Sequence, residues 1–273
     1  MTYKVLASEL EKLGVAEPDA EALLLLSHLF GASRADTLLY PEKEYDSPEL
    51  MSAINRRGAG EPIQYIIGSV FFCDCQIKVT PDCLIPRSET ELLCELVAEI
   101  LPADAHVLEL CTGSGCIPIA MLTMRKDISC KSVELFEKTV ELARHNRDAN
   151  GIATDRLDII CADALMLEAD ANACRYDAIV SNPPYIKSNV VPTLSREVLC
   201  EPHAALDGGD DGMIFYNKFL SDYAKMLKPG GFFAFEIGFD QGKDIKVLCD
   251  RLGYRCEIRQ DLSDLDRIAI IHP

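Results

Sequence analysis

The sequence predicts an α/β fold: a mostly parallel sheet covered by helices on both faces, its last strand antiparallel, with a small N-terminal helical bundle joined to it by a β-hairpin. Three observations predict it. From His106 onward, apolar strand-length runs alternate with helix-length segments, the pattern of successive βα units. The first of those strands runs into a glycine-bearing turn and then a helix. Ahead of them, residues 1–62 hold short apolar segments at helical spacing.

Glu17-Pro18-Asp19 opens a segment in which Leu23, Leu26 and Phe30 recur at helical spacing, and Gly31 follows as a stop. Ser47-Pro48 starts another helix, ending at Gly58-Ala59-Gly60-Glu61-Pro62. Short amphipathic pieces of this kind suit a small bundle. Over 64–79, Tyr65-Ile66-Ile67 and Val70-Phe71-Phe72 flank Gly68-Ser69, and Gln76-Ile77-Lys78-Val79 alternates, which predicts a β-hairpin closed by Thr80-Pro81. The domains expected are thus 1–62, helical; 63–82, a hairpin linker; and 83–273, the α/β unit. Ile85-Pro86-Arg87 leads into Ser88-Glu89-Thr90-Glu91, a capping-box spacing that predicts a helix through Ile100. Strands are expected at 106–110, 130–135, 157–161, 176–181, 231–237, 254–259 and 267–271, with helices from about 115 and over 137–149, 214–227 and 241–252. The chain has no internal repeat and no low-complexity segment.

With 48% hydrophobic residues the chain can bury a sizeable core. No apolar stretch approaches a membrane-spanning length, and Met1-Thr2-Tyr3-Lys4 lacks the regions of a signal peptide, so a soluble cytoplasmic protein is expected. Twelve cysteines lie scattered, several in apolar runs (Cys94, Cys130, Cys249), and read as reduced core thiols. Cys73-Asp74-Cys75 with Cys83 offers three thiolates, but nothing completes a tetrahedral set, and His28, His106, His145 and His203 show no ligand spacing. No metal is expected. The net charge is −17, with no Lys/Arg block to interrupt it. A duplex-gripping protein needs a basic footprint, so the acidity points away from nucleic acid and toward a basic protein partner, or simply serves solubility.

Residues 179–185, Ile-Val-Ser-Asn-Pro-Pro-Tyr, are an apolar strand that stops at an amide, two prolines and an aromatic ring. The prolines stiffen the backbone and hold the Asn182 amide, the exposed carbonyls and the Tyr185 ring in place. Such a rigid polar clamp suits a planar nitrogen of low basicity, a side-chain amide or the exocyclic amine of a base. Asn-Pro also commonly begins a plain turn. Context favours the clamp. Strand His106-Val-Leu-Glu-Leu110 feeds Cys111-Thr112-Gly113-Ser114-Gly115 and then a helix, where glycines and free N–H groups admit a ligand. Glu134, ending the second strand, is placed to accept ribose hydroxyls; its plainer reading is a solvated strand end. Counting from Gly113, the sixth position of a dinucleotide fingerprint is Pro118, whose ring opposes the close helix packing, so NAD is not expected. A cofactor with ribose but no pyrophosphate, S-adenosylmethionine, fits better, with Asp163 after the third strand beside the adenine amine. All these residues fall on the carboxyl rim of the sheet, where open α/β folds bind ligands.

Asn182-Pro-Pro-Tyr185 after a glycine-turn strand resembles the class I methyltransferases that modify amide or amine nitrogens, with their Rossmann-like sheet. Glu61-Pro-Ile-Gln-Tyr-Ile-Ile-Gly68, Leu84-Ile-Pro-Arg87, Glu201-Pro202 with Ala205-Leu206, and Leu227-Lys-Pro-Gly-Gly231 resemble more closely the glutamine methyltransferases of peptide chain release factors, the PrmC/HemK family. The match runs from about Glu61 to the end, and the helical region agrees in size and kind. The resemblance implies methylation of the Gln in a release factor's Gly-Gly-Gln loop; the helical region, outside the cofactor fold and without a catalytic motif, is expected to help grip that substrate. It implies a cofactor set of Glu109, Cys111, Thr112, Gly113, Ser114, Gly115, Glu134, Asp163, Ala164 and Asn182. Asn182, Pro183, Pro184 and Tyr185 hold the substrate Gln, and Asn182, Pro183 and Tyr185 carry the catalysis. Arg87 and Glu201 stand out only through the resemblance and read equally as surface or domain-bridging ion-pair residues; Glu236, at a strand end, is expected to line the pocket. The family's strand-end turn usually begins with Gly, where this chain has Cys111. A release factor is the expected partner, and a monomer, with no nucleic acid or membrane, is the expected state. The competing readings are an adenine methyltransferase on DNA or RNA, whose flipped base the clamp could receive, and a non-catalytic cofactor-binding module.

Overall fold

The computed structural model describes residues 1–167 and 175–273. The chain divides into two compact units, Met1–Ser69 with Ser195–Cys200, and Val70–Leu194 with Glu201–Pro273. The first is helical: α1 (Tyr3–Lys12), α2 (Pro18–Phe30), α3 (Arg34–Leu39), α4 (Pro48–Gly58) and α5 (Ile63–Ile67). Local chemistry sets its boundaries. Pro18 and Pro48 occupy first turns, where no N–H is missed, and Ser47 Oγ accepts the Leu50 N–H at 3.1 Å. Gly31 ends α2 in the left-handed conformation. Leu6, Leu10, Leu25, Leu26 and Leu50 form its core, each burial contributing roughly 1.5–3 kcal/mol. Within this unit the buried Arg57 guanidinium meets Glu21 at 2.6 Å and Glu197 at 2.6 Å.

The hairpin is shorter than predicted. Strands β1 (Ser69–Phe72) and β2 (Cys75–Lys78) pair across a turn at Cys73 and Asp74, both in the left-handed region. Tyr65-Ile66-Ile67 belongs to α5 instead: Pro62 starts the turn, and Ile63, Ile66 and Ile67 pack into the leucine core, overriding their β propensity.

In the second unit α6 (Ser88–Ile100) is followed by β3 (His106–Leu110), α7 (Cys116–Met124), β4 (Ser129–Glu134), α8 (Glu137–Ala149), β5 (Leu157–Cys161) and β6 (Tyr176–Ser181). Then come α9 (Ile214–Lys218), β7 (Leu227–Glu236), α10 (Gly242–Leu252), β8 (Arg255–Gln260) and β9 (Asp266–His272). The predicted capping box does not form at α6. Arg87 is its N-cap, the Glu91 carboxylate accepts the Cys73 N–H at 2.9 Å, and the Thr90 hydroxyl points elsewhere. The predicted helix 214–227 survives in three pieces, α9, a wide π turn over 219–223 and a tight turn over 224–226.

Seven strands form one sheet in the order β5-β4-β3-β6-β7-β9-β8. β3 to β7 run parallel, and the last strand, β9, lies antiparallel between β7 and β8. The chain winds outward from β3 to β5, then returns to lay β6 on the other side of β3. That reversal opens a crevice at the carboxyl ends of β3 and β6, the place where such sheets bind ligands. Register levels the rim: Leu110 lies opposite Val133 and Ser181, so Cys111, Glu134 and Asn182 follow side by side. Beneath them Tyr216, Phe219, Tyr223, Phe233 and Phe235 fill the core. Among the described residues no helix is long and apolar enough to cross a membrane.

Candidate active site

A pocket opens at this rim, lined by Cys111, Thr112, Gly113 and Ser114 from the turn, Glu134 from β4, Asp163 and Ala164 after β5, and Asn182 and Pro184 after β6. Sequence-predicted residues from four strand ends thus meet in one cavity. Glu109, Gly115, Pro183 and Tyr185 are not on its lining.

The turn has three residues at positive φ, Cys111 at 63°, Gly113 at 55° and Gly115 at 82°. At Gly115 the reason is space as well as φ: a Cβ would come 3.2 Å from the Ala143 Cβ. At Cys111 a side chain is carried where glycine is favoured, at a cost of about 1–2 kcal/mol. The turn is pinned from behind: Glu134 Oε2 accepts the Gly113 N–H at 2.9 Å, and Asn146 Nδ2 donates to the Ser114 carbonyl at 2.9 Å. Glu134 Oε1 accepts the Phe136 N–H at 3.2 Å. Burial raises the Glu134 pKa, against the pull of those N–H donors. Glu109 is fully buried behind the turn, accepts a hydrogen bond from the Thr112 hydroxyl, and is pushed up to about 8 by desolvation. It braces the turn rather than facing the cavity.

Asp163 Oδ1 accepts the Leu165 N–H at 2.8 Å, and the Tyr223 hydroxyl donates to the Ala164 carbonyl at 2.8 Å, fixing the third wall. Cys83, Cys111 and Cys116 also line the pocket, and burial pushes all three thiols up, so they are neutral walls rather than nucleophiles.

Asn182 Nδ2 donates to Thr90 Oγ1 at 3.2 Å, Thr90 Oγ1 donates to Glu236 Oε2 at 2.6 Å, and the Tyr185 hydroxyl donates to Glu236 Oε1 at 3.3 Å. Glu236 therefore stands behind the pocket and does not line it; Thr90 does. Arg87, which lines the pocket, pairs with Glu201, whose Oε2 also accepts the Ile85 N–H at 2.9 Å. That ion pair lies wholly within the second unit and bridges no domains.

Sequence reasoning missed Thr90, Gly208 and Gln241. Gln241 Nε2 donates to the Tyr185 carbonyl at 3.2 Å. A Cβ on Gly208 would come 2.7 Å from the Tyr185 Cα, so only glycine lets this loop press on the clamp backbone. The glycine-dense run Asp207-Gly-Gly-Asp-Asp-Gly212 was the visible signal.

The charge of the lining fits a cationic cofactor. The lining holds Asp82, Glu134 and Asp163 against one guanidinium, Arg87, a balance that suits a sulfonium and an ammonium better than a pyrophosphate. Apolar Ile117, Leu135, Phe136 and Leu165 supply walls for a base.

The sheet order and this rim define a class I methyltransferase. A methyltransferase from Pyrococcus furiosus shares the fold, at 20% identity and a TM-score of 0.53, covering 72% of this chain and 87% of that one. Residues 3–68 match the PrmC N-terminal domain and residues 88–234 the Methyltransferase small domain, which implies S-adenosylmethionine as methyl donor. A release factor glutamine methyltransferase of Moorella thermoacetica is 36% identical over 266 residues, 95% of this chain and 93% of its own length. Another from Aquifex aeolicus is 33% identical over 272 residues, 98% and 95%. The chain belongs to the release factor glutamine methyltransferase family.

Proposed function

We propose that this protein transfers a methyl group from S-adenosylmethionine to the side-chain amide nitrogen of the Gln in the Gly-Gly-Gln motif of peptide chain release factors. The observation that carries the reading is Asn182, whose amide is anchored through its nitrogen and which borders the same pocket as Glu134 and Asp163. The turn residues Cys111 to Gly115 would hold the methionine end of the cofactor, Glu134 the ribose, and Asp163 with Ala164 the adenine. Bound there, the cofactor supplies an electrophilic methyl group on a sulfonium.

An amide nitrogen is a poor nucleophile because its lone pair is delocalised, so the site gains most by orientation. Asn182 Oδ1 and the Pro183 carbonyl are the acceptors for the two N–H bonds of the substrate amide, which sets the nitrogen in line with the methyl group. The N–C bond forms as the S–C bond breaks, and the extra proton leaves the nitrogen for water afterwards, when it is far more acidic. Tyr185, anchored by Glu236 and Gln241, packs against the amide plane. Net charge −17 supports a protein substrate over DNA or RNA. The helical unit, outside the pocket, serves to grip the release factor.

The test is methyl transfer from labelled cofactor to a release factor and to one whose motif Gln is replaced. Label in the intact factor alone is expected, and label in both sinks the reading. Asn182→Ala should cut single-turnover transfer by at least about a hundredfold with a smaller effect on cofactor binding. Replacing the exposed Leu39 and Tyr40 of the helical unit by Asp should raise KM for the factor severalfold at unchanged kcat. An unchanged KM would remove that face from recognition.

A further inference from the structure

We infer that Thr90 is a positioning residue: through a one-way hydrogen-bond chain starting at Glu236, it decides which end of the Asn182 amide faces the pocket. The inference rests on the methyl-transfer reading for its consequence, and on geometry for its substance.

The chain is directional for a chemical reason. An ionised carboxylate only accepts hydrogen bonds. Glu236 Oε2 lies 2.6 Å from Thr90 Oγ1, so the single hydroxyl proton of Thr90 is committed to Glu236. What Thr90 presents to its other neighbour is a lone pair. That neighbour is the Asn182 side chain, 3.2 Å away, and only its Nδ2 can donate into a lone pair. Oδ1 is then turned away from Thr90, and among the described residues nothing donates to it. Burial raises the Glu236 pKa, and the hydrogen bond from Thr90, the nearby Arg267 charge and the Tyr185 hydroxyl, which donates to its second oxygen, oppose that rise and favour the ionised form. Glu236 and Thr90 are both buried, which shields the chain from competing water.

The consequence is selectivity at the reacting atom. With Oδ1 outward the site accepts N–H groups, so it orients an amide and opposes a carboxylate, whose oxygens would meet a lone pair. Reversed, Asn182 would present N–H groups and attract the wrong substrate. Proline stiffness fixes where Asn182 sits; the Thr90 chain fixes which way its amide faces. The two are independent, since the Asn182 side chain rotates without moving the backbone.

Thr90→Val keeps the shape and removes the hydroxyl. Its kcat on the release factor should fall about tenfold, the loss expected when one orienting hydrogen bond goes, with the cofactor Kd and the KM for the factor within about twofold of the parent. Thr90→Ser should recover most of the loss. Glu236→Gln, whose amide can donate to Thr90 and send the hydroxyl proton toward Asn182, should lose at least as much kcat as Thr90→Val. Parental kcat in Thr90→Val, or Thr90→Ser no better than Thr90→Val, overturns the inference; so does a cofactor Kd that worsens in step with kcat. A readout free of substrate keeps the two readings apart. In 15N-labelled protein the Asn182 side-chain NH₂ signal should move in Thr90→Val and return in Thr90→Ser. If it stays put in Thr90→Val the chain does not exist, whatever the enzyme methylates; should the parent methylate no release factor while this signal moves as expected, the methyl-transfer reading falls and the chain stands.

Discussion

The two compact units hold their acidic side chains by different means. In the helical unit Glu21 and Glu197 share the Arg57 guanidinium, which is 4% exposed, and charge meets charge at 2.6 Å. In the second unit Glu109, Glu134 and Glu236 are buried, yet among the described residues no cation forms a salt bridge with any of them, although the Arg267 charge acts on Glu236. Their oxygens accept from Thr112, Gly113, Phe136, Thr90 and Tyr185 instead, and burial raises all three pKa values. A cation neutralises a carboxylate and ends its influence. Neutral donors orient a carboxylate without cancelling the cost of burying it, which pushes its pKa up. The first arrangement ties a scaffold; the second orders hydroxyls and N–H groups around the pocket.

The largest effect should come from breaking the compensated set. Arg57→Ala strands Glu21 among buried side chains and should cost about 3 kcal/mol, the scale for removing one partner of a buried pair; Glu197→Ala, at the half-exposed end, should cost under about 1 kcal/mol. Urea unfolding reads both. Equal, small losses would mean that the pair is no scaffold and the contrast between units fails.

A smaller effect separates the uncompensated set. Glu109 has its folded pKa raised to about 8 from 4.5. Stability from its proton is fully present below the unfolded value and is lost as pH rises through the folded one. Glu109→Gln removes that dependence. Between pH 5 and pH 8.5 the parent should lose at least about 1 kcal/mol more unfolding free energy than the variant. Parallel pH curves would show that Glu109 is already compensated.

The smallest effect belongs to Cys111. Relieving its left-handed backbone, Cys111→Gly should raise the unfolding free energy slightly, by less than about 1 kcal/mol, and leave cofactor affinity unchanged or better, while Cys111→Leu should obstruct the pocket. Calorimetric titration decides it: more than about tenfold weaker binding in the glycine variant, 1.4 kcal/mol, would make the thiol a needed contact.

Strands β3 to β6 were legible in the sequence because strand-length runs alternate with helix-length segments and glycines and prolines punctuate them, although β4, Ser-Cys-Lys-Ser-Val-Glu, is no apolar run. The rim residues Cys111 to Ser114, Glu134, Asp163 and Asn182 followed, since register alone brings strand ends level. Other features were hidden by distance along the chain. Thr90 looked like part of a capping box because its true partner, Glu236, lies 146 residues on. Glu109 entered the cofactor set through the family resemblance, and the structure places it behind the turn, off the pocket lining. Tyr65-Ile66-Ile67 carried a strand's composition into a helix because the leucine core of the bundle outweighed local preference.

The membership of Ser195–Cys200 in the helical unit bears on the order of synthesis. Domains generally fold as they emerge, the N-terminal one first. Here the leucine core and the Arg57–Glu21 pair can form early, but Glu197 reaches Arg57 only after 140 further residues have been made. The first unit to emerge is thus completed only once the strand ends that form most of the pocket have been translated, so on the ribosome its last ion pair waits for the chain through Asn182 and beyond to be made.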